Sequence, residues 1–79
     1  MAILTGQVVD NSHVPVENAT ITIPAEGRFA LTNEKGMFEI QNIPEGIITI
    51  YVIHRHYQNY ETEIHLNSDL DVMLTLAHE

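Results

Sequence analysis

Apolar and polar residues alternate along seven short runs of this chain, and clusters of Asn, Asp, Ser, Pro and Gly separate the runs about every 8 to 14 residues. In most runs the apolar side chains occupy every second position, which is the period of a β-strand that buries one face. Regular turns between short alternating runs predict an all-β protein, a small seven-stranded sandwich or barrel. The predicted strands cover residues 2–10, 19–23, 28–32, 37–41, 47–53, 57–66 and 70–76.

The inward-facing positions of these strands define the expected core. Gly6 lies inside the first strand and indicates a bulge or the close approach of a neighbouring backbone. The strands at 28–32 and 37–41 flank the sequence Asn-Glu-Lys-Gly, which predicts a hairpin with Gly36 in the positive-φ position. The predicted core residues are Val8, Ala19, Ile21, Ile23, Phe29, Leu31, Phe38, Ile40, Ile48, Ile50, Val52, Ile64, Leu66, Val72 and Leu74.

The run IITIYVI at residues 47–53 is apolar on both faces. This pattern predicts either a central strand that is covered on both sides or a strand whose outer face meets a partner. Tyrosine side chains anchor protein interfaces and stack on sugar rings. We therefore expect an interaction surface on and beside this strand, made of Ile47, Thr49, Tyr51, Ile53 and Tyr57.

Composition narrows the classes of partner. The 79 residues predict one domain over 1–79, and the absence of cysteine excludes disulfides and thiolate metal sites. The chain has three basic and eleven acidic residues, giving a formal net charge of −8, which argues against nucleic acid and anionic membrane surfaces as partners.

No stretch approaches the ~18 apolar residues of a transmembrane helix, so we expect no membrane insertion. Residues 1–4 lack the character of a signal peptide, which predicts either an intracellular protein or one module of a longer exported protein.

Six segments occur in the order found in a known family: GQVVD at 6–10, PVENATITI at 15–23, LTNEKGMFEI at 31–40, NIPEGIITIYV at 42–52, HYQNYETEIHL at 56–66 and LDVML at 70–74. Together they resemble the carboxypeptidase regulatory-like domain, a transthyretin-like (prealbumin-like) β-sandwich, over nearly the whole chain. The resemblance implies a seven-stranded Greek-key sandwich and a non-catalytic module. Such domains accompany metallocarboxypeptidases, sit at the front of outer-membrane receptors and recur in surface and secreted proteins, where they aid folding, act as spacers or dock other proteins.

The chain departs from this family at one turn. The family usually has Gly-Tyr where this chain has His56-Tyr57. Because the β-carbon of His56 disfavours a positive φ, we expect a different, extended backbone there.

Histidines offer a candidate metal site. His54 and His56 are two residues apart and would share a strand face, and His65 on the next strand could lie across from them. Three imidazoles can hold a transition metal. The alternative is that they are exposed histidines at strand ends. For calcium, Asp10, Asn11 and Ser12 lack the dense ligand spacing of a dedicated loop, and their residue types are typical of turns.

Catalysis finds no support in the sequence. Ser12 and Ser68, the only two serines, lie in turn clusters and in no nucleophile motif. The chain ends Leu-Ala-His-Glu and lacks the C-terminal Tyr-Arg-Gly-Ser of transthyretin-like enzymes that hydrolyse 5-hydroxyisourate. We therefore expect neither an enzyme nor a cofactor.

The expected function is that of an accessory or structural interaction module in an exported or cell-surface protein, whether extracellular or periplasmic. Its sheet edges and the 47–53 strand would contact a partner protein, neighbouring domains of the same polypeptide, or a second copy paired through edge strands. The alternative is a ligand-binding domain that takes a carbohydrate on a tyrosine-bearing face or a divalent metal at His54, His56 and His65.

Overall fold

Two β-sheets packed face to face make up the part of the chain that the computed structural model describes, residues 2–78. The strands are β1 (Ala2–Asp10), β2 (Thr20–Ile23), β3 (Arg28–Leu31), β4 (Met37–Ile43), β5 (Gly46–Ile53), β6 (Tyr60–Leu66) and β7 (Leu70–Leu76), with a 3-10 turn at Pro24–Glu26. One sheet has the order β4-β1-β7 and the other the order β3-β2-β5-β6. This confirms the predicted all-β, seven-stranded Greek-key sandwich. Among residues 2–78 there is no helix with the length and apolar character needed to cross a lipid bilayer.

The core lies between the two sheets and follows the two-residue period of the strands. Most predicted core residues are buried, and Ile64 and Val72 are partly buried against them. The largest side chains that are fully buried are Leu4, Val8, Ile21, Ile23, Ile43, Ile50, Val52, Leu66 and Leu76.

Two predicted core residues are not in the core. Ala30 pairs with the buried Ile21, so Ala30 faces inward, and its neighbours Phe29 and Leu31 point to the other side of the sheet. Phe29 is 70% exposed and Leu31 is 57% exposed. The predicted hairpin is also wrong, because β3 and β4 belong to different sheets and the chain crosses between the sheets at the turn that contains Gly36.

A β-bulge in β4 adds a core residue that strict alternation would place outside. Ala2 pairs with Ile43 and Leu4 pairs with Ile40, so β4 contains one residue more than β1 over this stretch. Asn42 takes a φ of 61° within the bulge. As a result both Ile40 and Ile43 face inward although they are three residues apart.

Gly6 lies between its direct partners on the two neighbouring strands of its own sheet, Phe38 of β4 and Val72 of β7. A β-carbon there would stand 2.6 Å from the carbonyl oxygen of Val72 and 2.8 Å from the ring of Phe38. The predicted close approach is therefore confirmed, since only glycine fits between these neighbours.

The first and last strands lie side by side. β1 pairs with β7 in parallel, from Leu4 opposite Leu70 to Asp10 opposite Leu76, and with β4 in antiparallel fashion on its other side. β1 is thus the central strand of its sheet, in a molecule that measures 32 × 19 × 17 Å.

Candidate interaction surface

The outer face of the four-stranded sheet carries a band of apolar side chains. Residues that pair directly across an antiparallel ladder point to the same face, so the register of β3, β2 and β5 defines which side chains are neighbours. Two adjacent rows cross these three strands: Leu31, Thr20 and Ile53 form one, and Phe29, Thr22 and Tyr51 form the next. Ile47 lies further along β5 on the same side. We call Phe29, Leu31, Ile47, Tyr51 and Ile53 the outer apolar face.

These side chains are open to solvent to an unusual degree. In addition to Phe29 and Leu31, Ile47 is 67% exposed and Ile53 is 47% exposed, and Tyr51 is half-buried. The outer face of the three-stranded sheet is more polar. Its exposed Met37 and Met73 lie on either side of Gln7, and in the next row Glu39 and Asp71 lie on either side of Thr5. Exposed large apolar side chains are therefore more numerous on the outer face of the four-stranded sheet than on that of the three-stranded sheet.

Acidic residues border the outer apolar face along β6. Glu61 pairs directly with Tyr51, and Glu63 pairs with Thr49. A hydrogen bond from the Tyr51 hydroxyl to the Glu61 carboxylate, together with the negative charge of Glu61, raises the pKa of Tyr51. The Tyr51 side chain thus lies at the boundary between the apolar band and the acidic strand.

Four of the five predicted interaction residues share this face, namely Ile47, Thr49, Tyr51 and Ile53. The fifth, Tyr57, lies outside this face. The chain leaves β5 at Ile53, and Tyr57 forms a bridge with His78 and packs against the core. Its ring centroid lies 4.4 Å from that of His78.

The three predicted metal ligands are not brought together. His65 pairs with Ile47, whereas His54 and His56 follow the opposite end of β5, so the predicted position of His65 across from them is wrong. The physical reason is the hairpin register, which sets Tyr60 opposite Val52 and carries His65 down the ladder. Within residues 2–78 no group of three metal-ligating side chains is assembled.

His54 instead has a structural role in which both ring nitrogens are used. Nε2 lies 3.0 Å from the carbonyl oxygen of Glu17, which can only accept, so Nε2 carries the hydrogen. Nδ1 then accepts the backbone N–H of His56 at 3.1 Å. The imidazole therefore connects the turn after β5 to the loop before β2 through hydrogen bonds.

Asp10 is the centre of a partly buried polar cluster that joins the turn after β1 to His78. Its Oδ1 accepts the backbone N–H groups of Ser12 at 2.8 Å and Val14 at 3.0 Å, and its Oδ2 lies 3.4 Å from Nε2 of His78. The Val14 hydrogen bond is the main cause that lowers the pKa of Asp10, with Ser12 and His78 adding to it against the opposing effect of burial. Burial, and then the charge of Asp10, raise the pKa of Tyr57. The carboxylate is thus engaged by its own turn, as the residue types of this turn predict.

Two sheets of this order, with β1 and β7 parallel, define a transthyretin-like Greek-key β-sandwich. Within that class, the family model of the CarboxypepD_reg-like domain matches residues 4–79. The chain belongs to the CarboxypepD_reg-like domain family.

Solved structures share the fold at low sequence identity. A chain of a type II cohesin–X-dockerin complex from Acetivibrio cellulolyticus, an N-terminal interface mutant, has 16% identity and a TM-score of 0.87 over 99% of this chain and 58% of its own length. The corresponding C-terminal interface mutant has 17% identity and a TM-score of 0.85 over 96% and 57%. The present chain thus spans less than two thirds of those chains.

A third similar structure has the same extent as this chain. The Caf1A usher C-terminal domain has 12% identity and a TM-score of 0.62, over 98% of both chains. No curated protein matches the chain in sequence.

Proposed function

We propose that this domain is a non-catalytic module that binds another protein through the outer apolar face. The observation that carries the proposal is the clustering of Phe29, Leu31, Ile47 and Ile53, each between 47% and 70% exposed, on one face of one sheet. Leaving four large apolar side chains exposed on one face is unfavourable in water, and groups of exposed apolar residues on small domains mark interaction sites.

The charge of the domain indicates the chemistry of the partner. The outer apolar face borders Glu61 and Glu63, and the whole chain carries a net charge of −8. A partner surface that places apolar side chains on this face and Lys or Arg beside β6 would be complementary in both respects, and its association would be accelerated at low ionic strength.

The comparisons support an interaction role. One similar chain belongs to a cohesin–X-dockerin complex, and the similar Caf1A usher domain is described as having conserved hydrophobic clusters on its surface that are important for F1 antigen assembly. Family membership supports a module of a larger exported or cell-surface protein, in which the partner is a separate protein or a neighbouring domain.

A carbohydrate ligand has less support than a protein. Within residues 2–78 the outer apolar face carries a single tyrosine, and the Tyr51 hydroxyl is engaged by Glu61. Phe29, the other aromatic ring of this face, has no polar tip to hydrogen-bond a sugar hydroxyl.

The test selects binders from a random peptide display library and titrates them into the ¹⁵N-labelled domain. We expect amide shifts centred on Thr20, Thr22 and Tyr51, and a loss of affinity of about tenfold or more in the double variant Phe29→Ser/Ile53→Ser, because an apolar contact of about 1.4 kcal/mol is a tenfold change. The matched control is Met37→Ser/Met73→Ser, which removes exposed apolar side chains from the other sheet. Equal losses in both variants, shifts on the three-stranded sheet, or failure to select any binder would contradict the proposal.

A further inference from the structure

The outer side of β3 presents backbone groups that pair with no strand among residues 2–78. The N–H of Thr32 donates to the carbonyl oxygen of Ala19 at 3.0 Å, and the carbonyl of Thr32 accepts the N–H of Asn18 at 3.1 Å, so the backbone of Thr32 faces β2. Backbone groups of successive strand residues point to opposite sides. The N–H and C=O groups of Phe29 and Leu31 therefore point away from β2, toward the side on which β3 has no neighbouring strand among residues 2–78.

The other edge of the same sheet is protected and the β3 edge is not. By the same alternation the outward backbone groups of β6 belong to Glu61, Glu63 and His65. Charged side chains along an edge strand discourage the addition of another strand. At the β3 edge the corresponding residues are Phe29 and Leu31, whose apolar side chains would favour an added strand.

Space is available beside this edge. An open cleft of about 360 Å³ lies between β3 and β4 and is lined by Ala30, Leu31, Met37 and Phe38 among others. Glu39 also lines it, so the cleft has a negative charge next to apolar walls.

We propose that an extended segment of a partner protein, alternating apolar and basic residues, adds to the β3 edge as a fifth strand of the four-stranded sheet. This inference rests on the proposed function and specifies how the partner binds. The outward N–H and C=O groups of Phe29 and Leu31 hydrogen-bond the segment, and its apolar side chains extend the outer apolar face. Basic residues match Glu39 and the net charge of −8, whereas a second copy of the domain brings a further −8 and is repelled.

The experiment uses a short synthetic peptide that alternates isoleucine and lysine. Binding is followed by amide shifts and by hydrogen exchange of the Phe29 and Leu31 N–H groups, which should exchange at least tenfold more slowly in the complex. The decisive comparison is between two peptides N-methylated at alternate residues: one set removes the N–H groups that face β3 and should abolish binding, and the other should bind as the parent peptide does. This comparison leaves the protein unchanged.

A pair of protein variants separates backbone from side chain. Phe29→Ala removes the ring and keeps the outward N–H, whereas Phe29→Pro removes both and is compatible with an edge strand whose N–H faces solvent. We expect Phe29→Pro to bind the peptide at least tenfold more weakly than Phe29→Ala. Three outcomes would overturn the strand-addition proposal: equal affinities of the two variants, equal binding of the two N-methylated peptides, or no binding of the parent peptide. The test of the outer apolar face with selected binders is independent of these outcomes. A dimer of the free domain whose protection maps to Phe29 and Leu31 would also overturn the strand-addition proposal, in favour of a second copy.

Discussion

The hydroxyl oxygen of Thr32 accepts the backbone N–H of Ala19 at 2.9 Å, at the point where the ladder between β2 and β3 ends. The same hydroxyl donates to the carbonyl oxygen of Val16 at 2.7 Å. Asn18, with a φ of 64°, adds an extra residue opposite Thr32 and forms a β-bulge that would otherwise leave the Ala19 N–H without a partner. Thr32, 2% exposed, therefore satisfies two backbone groups inside the sandwich.

Replacement of Thr32 by valine keeps the shape of the side chain and removes both hydrogen bonds. We expect Thr32→Val to lower the free energy of unfolding by about 2–4 kcal/mol, because each unpaired buried backbone group costs about 1–3 kcal/mol. Thr32→Ser is the control, since it keeps the hydroxyl and loses one methyl group, worth about 1 kcal/mol. Urea unfolding measures both; a valine variant as stable as the serine variant would show that the hydroxyl does not have this role.

Gly36 and Gly27 provide a matched pair of glycines with positive φ. At Gly36, with φ 75°, a β-carbon would stand 2.4 Å from the carbonyl oxygen of Val8, whereas at Gly27, with φ 63°, nothing lies within 4 Å. Gly27→Ala should cost about 1–2 kcal/mol from backbone strain alone. Gly36→Ala should cost about 3–5 kcal/mol, since strain and overpacking add. Thermal or urea unfolding that finds equal losses would contradict the close approach of Gly36 to β1.

Asp10 should make the domain sensitive to acid. Its pKa is lowered from the ordinary value of 3.8, chiefly by the Val14 hydrogen bond, so the folded state binds this proton more weakly than the unfolded state does. The stabilising contribution is therefore complete above pH 3.8 and is lost as the pH falls through the lowered pKa of the folded state. Urea midpoints should fall across this acidic range, and the decline should be shallower in Asp10→Asn. Asp71→Asn, an exposed carboxylate on β7, serves as the control; an unchanged slope in Asp10→Asn would refute the assignment.

Glu61 should control the ionisation of Tyr51. The pKa of Tyr51 is raised above 10.0 by the hydrogen bond to Glu61 and by its charge, so Glu61→Gln should lower it. Because the folded state binds the tyrosine proton more tightly, this pair stabilises the fold below pH 10.0 and ceases to do so as the pH rises through the raised pKa. An NMR titration of the assigned Tyr51 ring measures the change. Glu63→Gln, which removes the neighbouring charge on the same face, tests whether the effect requires the directly opposed carboxylate.

The number of strands and most of the core could be predicted because alternation and turn residues are local signals. The side to which a short strand turns its apolar face is not a local signal. Phe29 and Leu31 were correctly expected to share a face, but only the pairing of Ala30 with the buried Ile21 decides that this face is the outer one. Because of this error, two of the five residues of the outer apolar face, Phe29 and Leu31, were assigned to the core. The pattern of β5 indicated the other three.

Register and bulges limited the prediction of sites in the same way. Whether His65 lies across from His54 depends on the register between β5 and β6, which the loop between these strands sets and the sequence pattern does not reveal. Ile43 was missing from the predicted core because the extra residue of the bulge at Asn42 shifts the alternation of inward and outward side chains in β4. Asp10 and His78 are far apart in sequence, and only the parallel pairing of β1 with β7 brings their surroundings together.

That parallel pairing also determines how the domain responds to tension. β7 runs beside β1 in the same direction, so residue 2 lies at the end of the sheet where both strands start, and residue 78 lies beyond the end where both strands finish. A pulling force applied between these two points would shear the seven paired positions from Leu4–Leu70 to Asp10–Leu76 simultaneously instead of opening them one after another. The sandwich would then resist stretching as a single mechanical unit while its other sheet remained free to hold a partner.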